Sequence, residues 1–320
     1  MKKIVVIILL FIFHESYSRP QDSLVVVFWN VENFFDYMDQ GTGESDTEFS
    51  SYGRRYWTKK RFYAKCDAVA KSLFWISEKY GRMPDIVGFS EIENRGVLQK
   101  LSYHTLLRKY DYGIVHFDSN DRRGIDVALL YRKSVFRIVS SAVKAPEYMG
   151  NILQTRDILH VCLESNIGSI FNMIVNHHPS RYGGARLSDG KRNSAMIALK
   201  SICDSLISSG AGRIIAMGDF NDTPDGPQFS LLDGVLLNKS DTLFQKGEGT
   251  IRYHGRWDLI DMFLVSKDIY PSTRMSVEYI PFLMTYEKKY PGKKPLRTYS
   301  GPRYLGGVSD HCPRVLVLRQ

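Results

Sequence analysis

Nine short apolar runs, each closed by polar residues or glycine, set the strongest limit on how this chain folds. They are Leu24–Trp29, Asp85–Phe89, Gly113–Phe117, Asp126–Tyr131, Ile158–Leu163, Ser169–Asn176, Arg213–Met217, Leu259–Val265 and Arg314–Leu318. Most are rich in Val, Ile, Phe or Leu and have the length of strands. Two longer segments carry the helical period instead. Over 60–79 the apolar positions are Phe62, Cys66, Val69, Ala70, Leu73, Phe74 and Ile76. Over 191–208 they are Met196, Leu199, Ile202, Cys203, Leu206 and Ile207. Each reads as a helix with one apolar stripe that packs on a sheet. The simplest assembly is an α/β domain dominated by strands, two packed sheets flanked by helices. Hydrophobic residues make up 43% of the 320 and charged residues 24%, which excludes wholesale disorder.

The first eighteen residues are read apart from this fold. Lys2 and Lys3 precede the apolar run from Ile4 to Phe13, and small residues stand at Ser16 and Ser18. This is the pattern of a signal peptide over 1–18, with residues 19–320 as a single domain. The apolar run is shorter than the roughly 20 residues a membrane-spanning helix needs, and no other segment has that length. The expectation is export, to a periplasm or the cell exterior, with no transmembrane segment in the mature chain. Removing Lys2, Lys3 and Glu15 lowers the net charge from +9 to +8. That balance suits a polyanionic partner. No stable protein partner is implied. The four cysteines, Cys66, Cys162, Cys203 and Cys312, form no CxxC pair, which argues against a zinc knuckle. Export permits disulfides, but Cys66 and Cys203 lie on helical apolar stripes and read as buried thiols. Two segments read as loops. Tyr37–Gly53 is polar and glycine-containing, and reads as mobile. The stretch 286–307 is basic, aromatic and rich in Gly and Pro, and reads as a long surface loop.

Polar residues that are costly to bury gather at the strand ends. Trp29-Asn30-Val31-Glu32-Asn33 follows the first run, and Ser90-Glu91-Ile92-Glu93-Asn94 the second. Later come Asn176-His177-His178-Pro179-Ser180-Arg181, then Gly218-Asp219-Phe220-Asn221-Asp222. Asp261 sits inside an apolar run, and Ser309-Asp310-His311 precedes the last one. Alternation in extended chain puts Asn30 with Glu32, Glu91 with Glu93, and Asp219 with Asn221, each pair on one side. Adjacent Asp310 and His311 reach one site only if the chain bends, and Gly306-Gly307 just before them suits a bend. An ionised Asp261 within an apolar strand needs a partner.

These residue types suit phosphate ester chemistry. A hard cation such as Mg²⁺ neutralises phosphate charge and takes oxygen ligands, which Glu91 can supply. A second carboxylate must take a proton from the attacking water while an amide holds that water; Asp219 and Asn221 suit this pair. Imidazoles bind the non-bridging oxygens, with a carboxylate to fix the ring. His177 and His311 are the candidates, and Asp261 the orienter.

The ordered blocks Trp29-Asn30-Val31-Glu32, Ser90-Glu91, Asn176-His177-His178-Pro179-Ser180, Gly218-Asp219-Phe220-Asn221, Ile260-Asp261 and Ser309-Asp310-His311 together resemble the endonuclease/exonuclease/phosphatase superfamily. It includes pancreatic deoxyribonuclease, abasic-site endonucleases, neutral sphingomyelinases and inositol polyphosphate 5-phosphatases. The resemblance covers nearly all of the mature chain. It implies a four-layered α/β sandwich, two mixed sheets face to face with helices outside. It also implies metal-site residues at Asn30, Glu32, Glu91 and Asp310, with Glu91 the principal ligand. Asp219 becomes the base, Asn221 its partner, and His311 a phosphate contact paired with Asp261. His177 falls at a phosphate-contacting position, and His178 at one where an aromatic is common, so it reads as packing. The stretches Asp121–Ala128 and Arg297-Thr298-Tyr299 resemble bacterial relatives, with Arg123, Arg181, Arg297 and Tyr299 as substrate contacts.

The resulting expectation is an exported, Mg²⁺-dependent phosphodiesterase (Mn²⁺ or Ca²⁺ as alternatives), a nuclease acting on DNA. A phosphomonoesterase or lipid phosphodiesterase on the same residues is the alternative. A binding protein without activity is disfavoured because Glu91, Asp219 and His311 are all present.

Overall fold

The computed structural model describes residues 23–41, 43–181 and 185–319, so the leader pattern over 1–18 lies outside the described residues. Two six-stranded sheets carry the architecture. In chain order their strands are β1 (Ser23–Phe34), β2 (Ile86–Ile92), β3 (Tyr112–His116), β4 (Asp126–Arg132), β5 (Phe136–Lys144) and β6 (Ile158–Ser165). Then follow β7 (Ile170–His177), β8 (Ile214–Asp219), β9 (Leu237–Asn238), β10 (Asp261–Val265), β11 (Thr273–Val277) and β12 (Arg314–Arg319). The first sheet runs β11-β12-β1-β2-β4-β3 and the second β9-β10-β8-β7-β6-β5. Both are mixed. β1 runs parallel to β2 and antiparallel to β12. β8 runs parallel to β7 and antiparallel to β10.

Strict alternation along the strands explains the layers. In β1, Leu24, Val26 and Phe28 enter the core between the sheets, against Met173, Val175, Ile215, Met217, Phe263 and Leu316. Val25, Val27 and Trp29 face the other way, toward Phe62, Val69 and Leu73 of helix α1 (Lys59–Tyr80) and Leu98 of helix α2 (Arg95–His104). On the far side of the second sheet, Ile174, Ala216 and Leu264 pack on Met196, Leu199 and Cys203 of helix α3 (Ala185–Ser208). The central strands are therefore buried on both faces, which is why they read as continuous apolar runs. The result is the expected sandwich, helices outside and sheets within.

The helix ends follow local chemistry. Thr58 caps α1 by accepting from Arg61 N, and Gly81 closes it at φ 74°. Helix α2 was not expected from periodicity, because ten residues offer only a short stripe. Asn94 starts it by accepting from Val97 N at 3.0 Å.

Both expected loops are more ordered than their composition suggests. Within Tyr37–Gly53, Phe49 stacks on Phe35 at 4.9 Å between ring centroids. Ser51 N bonds Tyr37 O at 3.1 Å, and Glu44 N bonds Arg122 O at 2.8 Å. The stretch 286–307 contributes to two small hairpins, Met284–Tyr286 with Lys293–Pro295 and Tyr299–Ser300 with Arg303–Tyr304. All four cysteines are free thiols, and Cys66, Cys203 and Cys312 are buried. No helix among the described residues is long and apolar enough to cross a membrane.

Candidate active site

The alternation that builds the central core also aims polar side chains at one edge of it. Asn30 continues the parity of Leu24, Val26 and Phe28. His177 continues that of Met173 and Val175, Asp219 that of Ile215 and Met217, and Asp261 that of Phe263 and Val265. Where the apolar residues stop, these four occupy the gap between the sheets. Asn30 Nδ2 donates across it to Asp219 Oδ2 at 3.0 Å. Asp219 pairs in register with His177 on one side and Asp261 on the other. His177 Nε2 lies 3.6 Å from Asp219 Oδ2, and His311 Nε2 lies 3.9 Å from it. The other nitrogen of that ring, His311 Nδ1, is 2.7 Å from Asp261 Oδ2. Ligand-type atoms of Asp219, Asp261 and His311 all fall within 4.8 Å of one another.

The remaining candidates arrive through breaks in the strands. Glu32, Asn33, Glu91 and Asn221 all have left-handed backbone, at φ 45°, 48°, 65° and 50°, uncommon for residues with a side chain. At Glu91 the pairing with β4 jumps from Ser90 to Ile92, so Glu91 is the extra residue of a bulge. The bulge turns it toward β1, where Oε2 accepts from Asn33 N at 2.7 Å. Glu93 does not share its side, as plain alternation predicted. It accepts from Asp36 N at 2.6 Å in the neighbouring segment. Glu32 likewise leaves Asn30. Its NH binds Asn30 Oδ1 at 2.9 Å, while its carboxylate accepts from Arg297 Nε at 2.8 Å and Thr298 N at 3.1 Å. Asp219 Oδ1 accepts from Asn221 N at 2.9 Å, but the Asn221 amide turns to His178 O at 3.0 Å. That amide is committed to the backbone instead of lying beside the Asp219 carboxylate.

The bend needed at Asp310 and His311 is present. Ser309 Oγ donates to Asn30 O at 2.6 Å and accepts from His311 N at 2.9 Å, which folds the turn onto β1. Asp310 then lies 3.3 Å from Arg297 and 3.9 Å from His311 Nε2. Gly307 passes so close to Leu296 O that a Cβ there would fall 1.8 Å from it.

Burial and neighbours set the charges. Burial, with Asp261 beside it, pushes the Asp219 carboxyl up to about 7. Burial opposes the charge on His311, but Asp261, through charge and hydrogen bond, and then Asp219 outweigh it and hold the imidazolium well above its ordinary range. Burial, Arg156 and Arg123 drive His177 the other way, toward the neutral ring. Burial and Asp310 raise Glu32 to about 7 against the pull of Arg297 and Lys65.

Two residues of this region were missed in the sequence. Lys65 is buried, donating to Glu32 O at 2.5 Å and Thr298 Oγ1 at 2.9 Å. Its signal was a lysine beside Cys66 on an apolar helical stripe. Buried Arg156 donates to His178 O at 2.6 Å and Asp121 Oδ2 at 3.0 Å; nothing in its local sequence marks it. Of the expected substrate contacts, Arg123 is partly exposed and 3.6 Å from Glu91 Oε1. Arg181 is engaged with Asp222 and Asn221 O. Tyr299 and Arg297 line a cavity of about 140 Å³ with Glu32, Asn33 and Arg55, but the Tyr299 hydroxyl is committed to Arg55 O at 2.9 Å.

The donor set fits a hard divalent cation. Glu91 Oε1 has Asn30 Nδ2 at 3.5 Å and Arg123 Nη2 at 3.6 Å, both longer than good charge-assisted bonds. Its lone pairs are thus available to a metal, and the surrounding donors are the oxygen types that Mg²⁺ prefers.

A two-sheet α/β sandwich with carboxylates, amides and imidazoles converging at one edge defines a deoxyribonuclease I-like phosphoric ester hydrolase. The profile of the Endonuclease/Exonuclease/phosphatase family matches residues 25–320, and the chain belongs to that family. No curated protein matches it in sequence. Among solved structures it is similar to Danio rerio TDP2 complexed with single-strand DNA product, at 14% identity and TM-score 0.55, covering 93% of this chain and 99% of that one. It is similar to the mannosyl-6-phosphatase Bt3783 of Bacteroides thetaiotaomicron, at 15% identity and TM-score 0.57, over 92% and 98%. A mutant Staphylococcus aureus beta toxin with bound magnesium ions matches at 17% identity and TM-score 0.56, over 93% and 100%.

Proposed function

We propose that the chain is an exported, Mg²⁺-dependent phosphodiesterase that cleaves DNA. The observation that carries this reading is the position of Asp219. It is buried, held by Asn30 from the opposite sheet, and faced by two imidazoles that differ in charge. A carboxyl raised to about 7 is suited to accept a proton near neutral pH. In this reading Asp219 takes the proton of the attacking water, and Asn30 fixes the carboxylate that receives it. His311, kept charged by Asp261, donates from Nε2 to a non-bridging phosphate oxygen as negative charge grows there. Neutral His177 contributes a second contact, and Arg123 adds a fork of donors at the rim. Asn30, Glu91, Glu32 and Asp310 are the residues proposed to hold the cation. When bound, Mg²⁺ neutralises phosphate charge and stabilises the leaving oxygen.

DNA as substrate is supported by the net charge of +8 that remains once Lys2, Lys3 and Glu15 are removed and by the likeness to TDP2 with its DNA product. The mannosyl-6-phosphatase likeness favours a second reading, a phosphomonoesterase on the same residues. Export rests on the Lys2–Ser18 pattern. Purified protein tested on plasmid DNA, bis(p-nitrophenyl) phosphate and inositol phosphates, with Mg²⁺ and with chelator, separates the readings. The expected result is Mg²⁺-dependent DNA cleavage that falls about 10²–10⁴-fold in Asp219→Asn. Hydrolysis of monoesters alone would transfer the assignment to the phosphatase, and wild-type turnover in Asp219→Asn would remove the base.

A further inference from the structure

Beside the site lies a cavity of about 520 Å³ whose lining includes Arg122, Thr155, Arg156, Pro179, Ser180 and Lys191. Among the described residues that line it, three are cationic and none is acidic. Pro179 and Ser180 follow His177 and His178 directly, so the cavity opens along the same turn that presents His177. Arg156 and Thr155 are buried, at 7% and 5% exposure. Arg156 is held on two edges, by Asp121 and by His178 O. Its Nε and the Thr155 hydroxyl have no hydrogen-bond partner among the described residues. Buried polar groups without partners are costly, and a built anion site is one way to satisfy them. At the rim, Arg122 pairs with exposed Glu44 at 2.7 Å, a contact that water and salt weaken. Exposed Lys191 forms no ion pair among the described residues.

We propose that this cavity is a subsite for a second phosphate of the substrate, bound beside the scissile one past the His177–Ser180 turn. Arg156 and Thr155 form its rigid floor, and Lys191 and Arg122 its cationic rim. The subsite rests on the hydrolase reading for its role, and it narrows the substrate to a molecule with more than one phosphate. A nucleic-acid backbone and a polyphosphorylated small molecule share that chemistry.

The test is titration calorimetry on the full chain in chelator, with inorganic phosphate, a phosphorothioate tetranucleotide and inositol hexakisphosphate as probes. The rim residues are exposed, so Lys191→Ala and the double variant with Arg122→Ala are expected to stay folded, which a thermal melt checks before the titrations. The double variant is expected to bind inorganic phosphate and one of the two larger probes roughly tenfold more weakly, as loss of charge-assisted bonds implies. For the tetranucleotide, the slope of log affinity against log salt should fall by about one for each cation removed. Thr155→Val should weaken phosphate binding while leaving that slope unchanged, since a hydrogen bond is lost and no charge is. Selective weakening for the tetranucleotide assigns the source to nucleic acid, and selective weakening for the inositol compound assigns it to a small polyphosphate. If wild type fails to cleave DNA while the variants lose phosphate binding, the subsite stands and the nuclease reading falls. If affinities, slopes and the KM for DNA are the same in wild type and double variant, the subsite is overturned and the nuclease reading survives.

Discussion

His311 Nδ1 and Asp261 Oδ2 stand 2.7 Å apart although the residues are 50 positions apart in the chain and only Asp261 lies in a sheet strand. Asp261 starts β10 of the second sheet, and His311 lies on the turn into β12 of the first. The bond therefore fixes the ring that faces Asp219. Asp261→Asn keeps the shape and removes the charge that holds the imidazolium. Its expected effect is a fall in kcat of roughly 10²-fold or more with little change in KM, read on bis(p-nitrophenyl) phosphate. A wild-type kcat would show that the ring needs no carboxylate.

Removing divalent metal should abolish turnover, and Mg²⁺ should restore it. Glu91→Gln keeps the bulge residue but weakens the donor proposed as principal ligand. The Mg²⁺ concentration for half-maximal rate should rise by more than about tenfold. An unshifted Mg²⁺ titration would place the cation on other residues.

His178 is buried against Phe220, at 4.8 Å between ring centroids, and neither ring nitrogen has a partner among the described residues. Burial, with Arg156 and Arg192 nearby, depresses its pKa from 6.5 to about 3. Its contribution to stability is fully present above 6.5 and is lost as pH falls toward 3, because the unfolded chain then binds a proton that the folded one refuses. His178→Phe should raise the unfolding free energy by about 1–2 kcal/mol at neutral pH, seen as a higher urea midpoint, and make the decline in stability below pH 6.5 shallower. Urea melts at several pH values read both, and a destabilised variant with an unchanged acid limb would contradict the account.

Gly218 precedes Asp219 in β8 and pairs with Asn176 of β7. A Cβ there would lie 2.5 Å from Asn176 O, a backbone atom inside the sheet. Gly218→Ala should cost about 1–3 kcal/mol and lower kcat as well, since Asp219 and His177 sit on the two strands forced apart. Melting temperature and turnover measured together check this; loss of neither would mean the sheet absorbs the methyl group.

Much of the fold was legible because strand alternation is a local property. Leu24, Val26 and Phe28 announce one buried face and Val25, Val27 and Trp29 the other, and the same parity carries Asn30, His177, Asp219 and Asp261 to the gap between sheets. The residue types needed for phosphate chemistry were also readable, since few strand ends gather so many acids, amides and imidazoles.

Parity failed where the backbone departs from extended chain. The bulge at Glu91 exists because β2 pairs with β4, more than thirty residues further on, and no local pattern encodes that partner. Left-handed backbone at Glu32 and Asn221 sends the first to Arg297 and the amide of the second to His178 O. Lys65 and Arg156 gain their places only through acceptors supplied by distant segments. The sequence by itself determined the alternating strands, the helical stripes and the chemical types at their ends, because those depend on neighbours a few residues away. Which oxygen and which nitrogen finally face one another was decided by tertiary structure, because bulges, turns and buried hydrogen bonds form only when remote strands meet.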